Sequence, residues 1–169
     1  MELNKAERTE RIIEVLKEKY EDQVLGIDSP YDFLTISLKQ EKIVEIIRFL
    51  YDHPETEFQF LTTLCGIHYP DQNSIAVQYQ LHNLVTNFRI RLKIFLPDSN
   101  PVTGTITSIF SGANWMERET YDFFGVIFQG HPNLKRILNV EDMIMFPMRK
   151  EFPLEDQVRE DKNDNMFGR

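Results

Sequence analysis

Two runs of alternating residues constrain this chain more than any other feature. Ile75, Val77, Tyr79 and Leu81 alternate with Ala76, Gln78, Gln80 and His82, and Phe88, Ile90, Leu92, Ile94 and Leu96 alternate with Arg89, Arg91 and Lys93. A period of two places each apolar set on one face of a strand, and the Asn83–Asn87 stretch between the runs supplies a turn. The pattern predicts an antiparallel hairpin with one face in a core and the other polar. Arg89, Arg91 and Lys93 form a basic stripe on that second face. The stripe reads either as a solvated, edge-protecting surface or as a docking surface for an acidic partner.

Around the hairpin, residues 6–21 predict an amphipathic helix carrying Ile12, Val15, Leu16 and Tyr20 on one side. Tyr31–Leu38 predicts a strand, and Glu41–Asp52 a second helix with Ile43, Ile46, Ile47 and Leu50 in one stripe. His53-Pro54 ends that helix, because the residue before a proline is pushed out of helical geometry. Phe58–Leu64 is apolar and short, which leaves it open between strand and helix. Ser108–Phe124 predicts a third helix, stopped by Gly125 as a left-handed cap. The final residues are mostly charged or amide-bearing and suit an extended segment. This order of elements predicts an α+β fold: a two-layer domain over residues 1–154, mainly antiparallel sheet with helices packed on one face, plus an extended C-terminal arm at 155–169.

A chain of 169 residues is long enough to hold a core without disulfides or metal. Its formal net charge of −8 argues against binding nucleic acid or an anionic lipid surface. The single cysteine, Cys65, excludes an internal disulfide, a multi-cysteine zinc site and a self-contained iron–sulfur cluster, and its apolar setting predicts a buried thiol. No stretch approaches the roughly 18–20 apolar residues of a membrane span, and the mixed-charge opening MELNKAERTERIIEV has no apolar signal core. The expectation is a reduced intracellular globular chain. It carries no GxSxG, HExxH, GxGxxG or phosphate-loop motif.

The densest polar cluster is Glu117, Arg118, Glu119 and Asp122, followed by His131. On a helix turning about 100° per residue, Ala113, Met116, Glu117, Tyr121, Phe123 and Phe124 share one broad arc. Arg118, Glu119, Asp122 and Trp115 fall opposite. The chain is therefore expected to bury one carboxylate, Glu117, and to expose one indole, Trp115. A buried carboxylate needs a partner, and Arg89, Arg91, Lys93 and Arg136 are the candidate cations. Glu117 and Glu119 point about 160° apart and cannot flank one bond as an acid/base pair. A metal site from Glu119, Asp122 and His131 lacks supporting spacing. Arg118 and Asp122 make at most a weak surface pair. Trp115 reads either as a ring lying over a neighbouring loop or as a partner anchor. The residues describe a partner protein rather than a catalyst.

The run Ala113-Asn114-Trp115-Met116-Glu117-Arg118-Glu119-Thr120-Tyr121-Asp122-Phe123-Phe124-Gly125-Val126 resembles the signature of the C subunit of respiratory complex I, the proton-translocating NADH:quinone oxidoreductase. Phe128–Leu138 is similar to that family's F-x-G-H-P-x-L-[KR]-R-I-L block, Pro147–Leu154 to its P-L-R-K-[DE]-F-P-L block, and Phe58–Tyr69 to F-x-F-L-x-x-L-C-G-V-D-Y. His68 stands where the family often has aspartate, and Met143–Phe146 replaces a W-E-G-H-like tetrapeptide. The resemblance covers most of residues 30–154.

The resemblance implies a non-catalytic peripheral-arm subunit of the quinone module, of the stand-alone bacterial type. It implies no flavin, iron–sulfur cluster, metal or quinone site on this chain, those groups belonging to other subunits. The implied partners are first the D subunit and then the B subunit. The implied location is the cytoplasmic side of the bacterial inner membrane, reached only through the complex. Interface or supporting roles fall to Trp115, Glu117, Arg118, Glu119, Asp122, Gly125, Gly130, His131, Pro132, Arg136, Arg149 and Lys150. Two alternatives stay open: the equivalent component of a membrane-bound hydrogenase or ferredoxin-fed complex, and a stand-alone hydrolase built around Glu119 and His131.

Overall fold

The computed structural model describes residues 4–152. The expected arm at 155–169 and the domain limit at 154 lie outside the described residues.

The hairpin forms as the alternation requires. Strands Ser74–Asn83 (β4) and Phe88–Pro97 (β5) pair antiparallel, with Ile75, Val77, Tyr79 and Leu81 opposite Leu96, Ile94, Leu92 and Ile90. All eight are buried. The turn is fixed by Asn83, whose side-chain oxygen accepts the Val85 and Thr86 N–H groups at 3.0 and 2.9 Å. Asn87 then takes a left-handed backbone, a conformation asparagine tolerates.

Strands Val24–Asp28 (β1), Thr35–Leu38 (β2) and Phe60–Tyr69 (β3) complete a five-stranded sheet in the order β1-β2-β5-β4-β3. Every pairing is antiparallel except β2 with β5, so the sheet is mainly antiparallel, as expected. Helices Lys5–Tyr20 (α1), Ile43–Asp52 (α2) and Ala113–Phe124 (α3) send side chains into one apolar core with the inner face of the sheet. Helix α1 starts with a capping box: Asn4 accepts the Glu7 N–H, and Glu7 accepts the Asn4 N–H. Among the described residues no helix is long and apolar enough to cross a membrane.

Several boundaries differ from expectation, each for a local reason. The strand expected from Tyr31 starts at Thr35, because Tyr31 and Asp32 sit at positive φ in a tight turn that begins at Pro30. β1 has no alternating signature; it is an edge strand interrupted by a bulge between Val24 and Gly26. The ambiguous Phe58 segment resolves as strand from Phe60 onward. α3 begins at Ala113 rather than Ser108, the intervening residues forming turns closed by Ile109 and Phe110 N–H groups on the Ile106 carbonyl. A two-stranded parallel ribbon, Val102–Gly104 (β6) with Ile127–Gln129 (β7), has three residues per strand and leaves no periodic trace. Cys65 is half-buried, and its thiol pKa is raised by burial.

Gly66 in β3 explains how α3 reaches the sheet. A Cβ at this position would lie 2.6 Å from Cδ2 of Phe124. The helix terminus packs into the space a side chain would take. Gly66→Ala is therefore expected to destabilise the fold by about 1–3 kcal/mol through overpacking. In a thermal-denaturation double-mutant cycle with Phe124→Ala, the double variant should lose clearly less than the sum of the single losses.

Candidate functional site

The cluster singled out in the sequence is the helix α3 with the chain that follows it. Gly125 closes the helix at φ 79, its N–H bonding the Tyr121 carbonyl at 2.8 Å. A Cβ there would also meet the Phe146 ring at 2.6 Å, so both the backbone and the packing require glycine. Gly130, at φ 83, turns the chain after β7. Residues 133–152 then run back as an irregular strap, without helix or strand, over the far side of α3.

Glu117 is fully buried, as expected. Its expected cationic partner is not what holds it. Thr105 Oγ1 lies 2.5 Å from one carboxyl oxygen, and the Ile106 N–H donates to the other at 2.8 Å. His131 comes within 4.0 Å, beyond hydrogen-bond length, because both its nitrogens are engaged elsewhere. Nδ1 accepts the Asn133 N–H at 3.0 Å, and Nε2 donates to the Asn114 carbonyl at 3.1 Å. The candidate cations are used otherwise: Arg136 on Asp122, Lys93 on the Tyr69 hydroxyl and Arg91 over the Phe33 ring. Arg89 is exposed on the sheet. Burial pushes the Glu117 carboxyl up to about 7, against the opposing pull of Thr105 and the Ile106 N–H.

Asp122 departs furthest from expectation. The helical projection places it on the solvent side, yet it is fully buried, because the strap covers that side. Its carboxylate accepts Arg136 Nη1 at 2.8 Å, the N–H groups of Ile137, Leu138 and Asn139 at 3.0, 2.8 and 3.0 Å, and Asn139 Nδ2 at 3.1 Å. Burial alone would raise its pKa; the Asn139 and Leu138 N–H groups, Arg136 and the Asn139 amide outweigh it and hold the carboxyl far below its ordinary range. Arg136 also donates to the Asp122, Met143 and Met145 carbonyls at 2.9, 2.7 and 3.0 Å.

The expected Arg118–Asp122 surface pair does not form. Arg118 instead donates to the carbonyls of Lys135 and Arg136 at 3.1 and 3.3 Å, with its guanidinium 4.9 Å from the Trp115 ring. Arg149 donates to the Phe124 carbonyl at 2.8 Å, and the Lys150 N–H donates to His68 Nδ1 at 2.9 Å. The structure thus brings Arg118, Asp122, Gly125, His131, Arg136 and Arg149 into one fastening between helix and strap, while Glu117 is held on the other side of the helix by Thr105 and Ile106. Glu119, Pro132 and the Lys150 side chain stay on the surface, and Trp115 is 63% exposed. Thr105, Asn139 and Phe146 take part without having been singled out; a threonine hydroxyl and a backbone N–H leave no motif by which to find them.

The same fold occurs in components of respiratory membrane complexes. A chain in the structure of the membrane-bound sulfane sulfur reductase, an archaeal respiratory membrane complex, superposes with a TM-score of 0.74 over 92% of this chain and 98% of that one, at 22% identity. The trypsin-resistant fragment (1-134) of Nqo5 superposes with a TM-score of 0.63 at 28% identity, over 75% of this chain and 99% of the fragment. The C subunit of the NADH-quinone oxidoreductase of Roseiflexus sp. (strain RS-1) is 40% identical over 144 residues, 85% of this chain and 83% of that protein. The C 2 subunit of the same enzyme in Rhizobium etli (strain CIAT 652) is 37% identical, over 82% of this chain and 74% of that protein. Residues 36–158 match the model of the respiratory-chain NADH dehydrogenase 30 Kd subunit, and the chain belongs to that family.

Two measurements check the site. Folded Glu117 keeps its proton to about pH 7, whereas unfolded it loses it near 4.5. The folded state then binds more protons between these values, so stability should fall by up to about 3 kcal/mol as pH rises from 4.5 to 7. Glu117→Gln should flatten that slope in urea titrations. Asp122→Asn leaves Arg136 buried and uncompensated, and should cost about 3–5 kcal/mol. Limited trypsin digestion should then cut at Lys135 and Arg136 much faster than in the parent chain.

Proposed function

We propose that the chain works as a non-catalytic scaffold in the quinone-reducing module of a proton-translocating NADH-quinone oxidoreductase. The observation that carries this reading is how the signature cluster is used. Asp122, Arg136 and Arg118 hold backbone groups of the chain's own strap, and Glu117 is enclosed by Thr105 and Ile106. Groups engaged in this way shape a surface instead of meeting a substrate. The fastening presents Trp115, Leu138, Ile144 and Met148 outward, with Ile144 95% exposed. Exposed apolar side chains on a rigid frame suit a permanent interface.

The D subunit, with the B subunit beside it, is the companion for this surface, and the assembly sits on the cytoplasmic side of the inner membrane. Flavin and iron–sulfur clusters are carried by those and other subunits. The relatives named as parts of NADH-quinone oxidoreductases favour NADH as the electron source over hydrogen or ferredoxin.

Ile144→Asp should leave the melting temperature of the isolated chain within about 2 °C, since surface changes cost little. In membranes it should lower co-migration with the quinone-reducing complex, and NADH–quinone activity in proportion. Equal assembly of the two forms on native gels, or steady turnover by the purified chain alone, would defeat the scaffold reading.

A further inference from the structure

The helices leave the outer face of the sheet uncovered among the described residues. Along β5, Arg89, Arg91 and Lys93 project from this face at alternate positions, roughly 7 Å apart. Their neighbours across the ladders carry no carboxylate: Thr35 and Ser37 in β2, and Gln78, Gln80 and His82 in β4. Acids border the face only at its two edges: Asp28 in β1, and Glu119 of α3, which acts electrostatically on Cys65 in β3. In a chain of net charge −8 this is a concentrated positive field.

The cations are also held in place. The Arg91 guanidinium lies 4.8 Å from the centre of the Phe33 ring, and its Nε is buried without a hydrogen-bond partner. Lys93 donates to the Tyr69 hydroxyl at 2.7 Å and sits between the Tyr69 and Phe95 rings, 4.5 and 4.8 Å from their centres. A cleft of about 740 Å³ prolongs the stripe at Arg89 and Phe33; Arg8 also lines it, together with Lys5, which is paired there with Asp32. Ordered side chains lose little entropy when an anion arrives.

We propose that this face docks an extended acidic segment of a companion subunit, with carboxylates at alternate positions along the segment. A strand-like peptide repeats its side chains on one face every two residues, which matches the spacing of the three cations. A nucleic acid or a lipid surface extends well beyond the stripe and would meet the acidic remainder of the chain. The inference rests on membership in the assembled complex and concerns a surface distinct from the strap.

The test places photoreactive p-benzoylphenylalanine at position 80, in place of Gln80, in the full chain within the assembled complex. Irradiation should join it to a carboxylate-rich segment of another subunit, and about 0.5 M salt should reduce the yield several-fold. Arg91→Gln with Lys93→Gln should weaken reassembly of the purified chain with its companions about tenfold, with circular dichroism unchanged. The proposal is overturned if the complex forms but the adduct is internal, absent, lipid, nucleic acid or a segment without excess carboxylate. Wild-type reassembly of the double variant overturns it equally. Failure of the parent chain to migrate with any quinone-reducing complex would instead sink the scaffold reading, and this inference with it.

Discussion

Asp122 is the interaction on which the outer half of the structure depends. It stands in the last turn of α3, where the helix dipole disfavours an anion, and it is buried, which disfavours one again. Both costs are offset by Arg136 and by three consecutive backbone N–H groups of the strap. A segment without helix or strand has no ladder to satisfy its own polar groups. Here a carboxylate takes the donors and a guanidinium takes the acceptors, so residues 136–145 gain a fixed course without secondary structure. The support is mutual: the helix's own last turn carries no cation, and Arg136 and Arg149 supply positive charge to its terminal carbonyls.

Glu117 shows the other way of burying a carboxyl. Five residues earlier on the same helix, it faces a hydroxyl and one N–H instead of a guanidinium. Its proton affinity is raised where that of Asp122 is lowered, and the cause is the donor set, since both are fully buried. Two neighbouring carboxyls of one family signature therefore differ in charge state near neutral pH. One acts as an ionic anchor, the other as a group held close to titration inside the junction of α3 with the turn after β6.

Legibility followed the range of the interactions. The hairpin, α1 and α2 could be read from local periodicity because a half-buried strand or helix states its orientation in every second or every third to fourth residue. The burial of Glu117 and the exposure of Trp115 followed from the same projection. The burial of Asp122 did not, because it depends on a strap fifteen residues downstream with no period of its own. Assigning Arg136 to Glu117 failed for the same reason: charge matching selects the type of partner but not which carboxylate the chain brings near. The three-residue strands β6 and β7 fall below the length at which alternation means anything, and the bulge in the edge strand β1 breaks its pattern.

The two sides of the molecule also differ in what they leave free. On the strap side Arg118, Asp122, Arg136 and Arg149 are bound internally, and Leu138, Ile144 and Met148 are left outside beside charged residues such as Lys135, Glu141 and Lys150. On the sheet side the alternating apolar residues from Ile75 to Leu81 and from Phe88 to Leu96 are committed to the core, and the side chains left outside include Arg89, Arg91, Lys93 and the ring of Phe95. The exposed apolar side chains of the strap and the basic stripe of the sheet therefore form two different surfaces. A scaffold made this way can meet one neighbour through apolar burial, which salt does not weaken, and another through charge, which salt does. Those two contacts separate by ionic strength, so the order in which companions leave a dissected complex reports which side each one occupied.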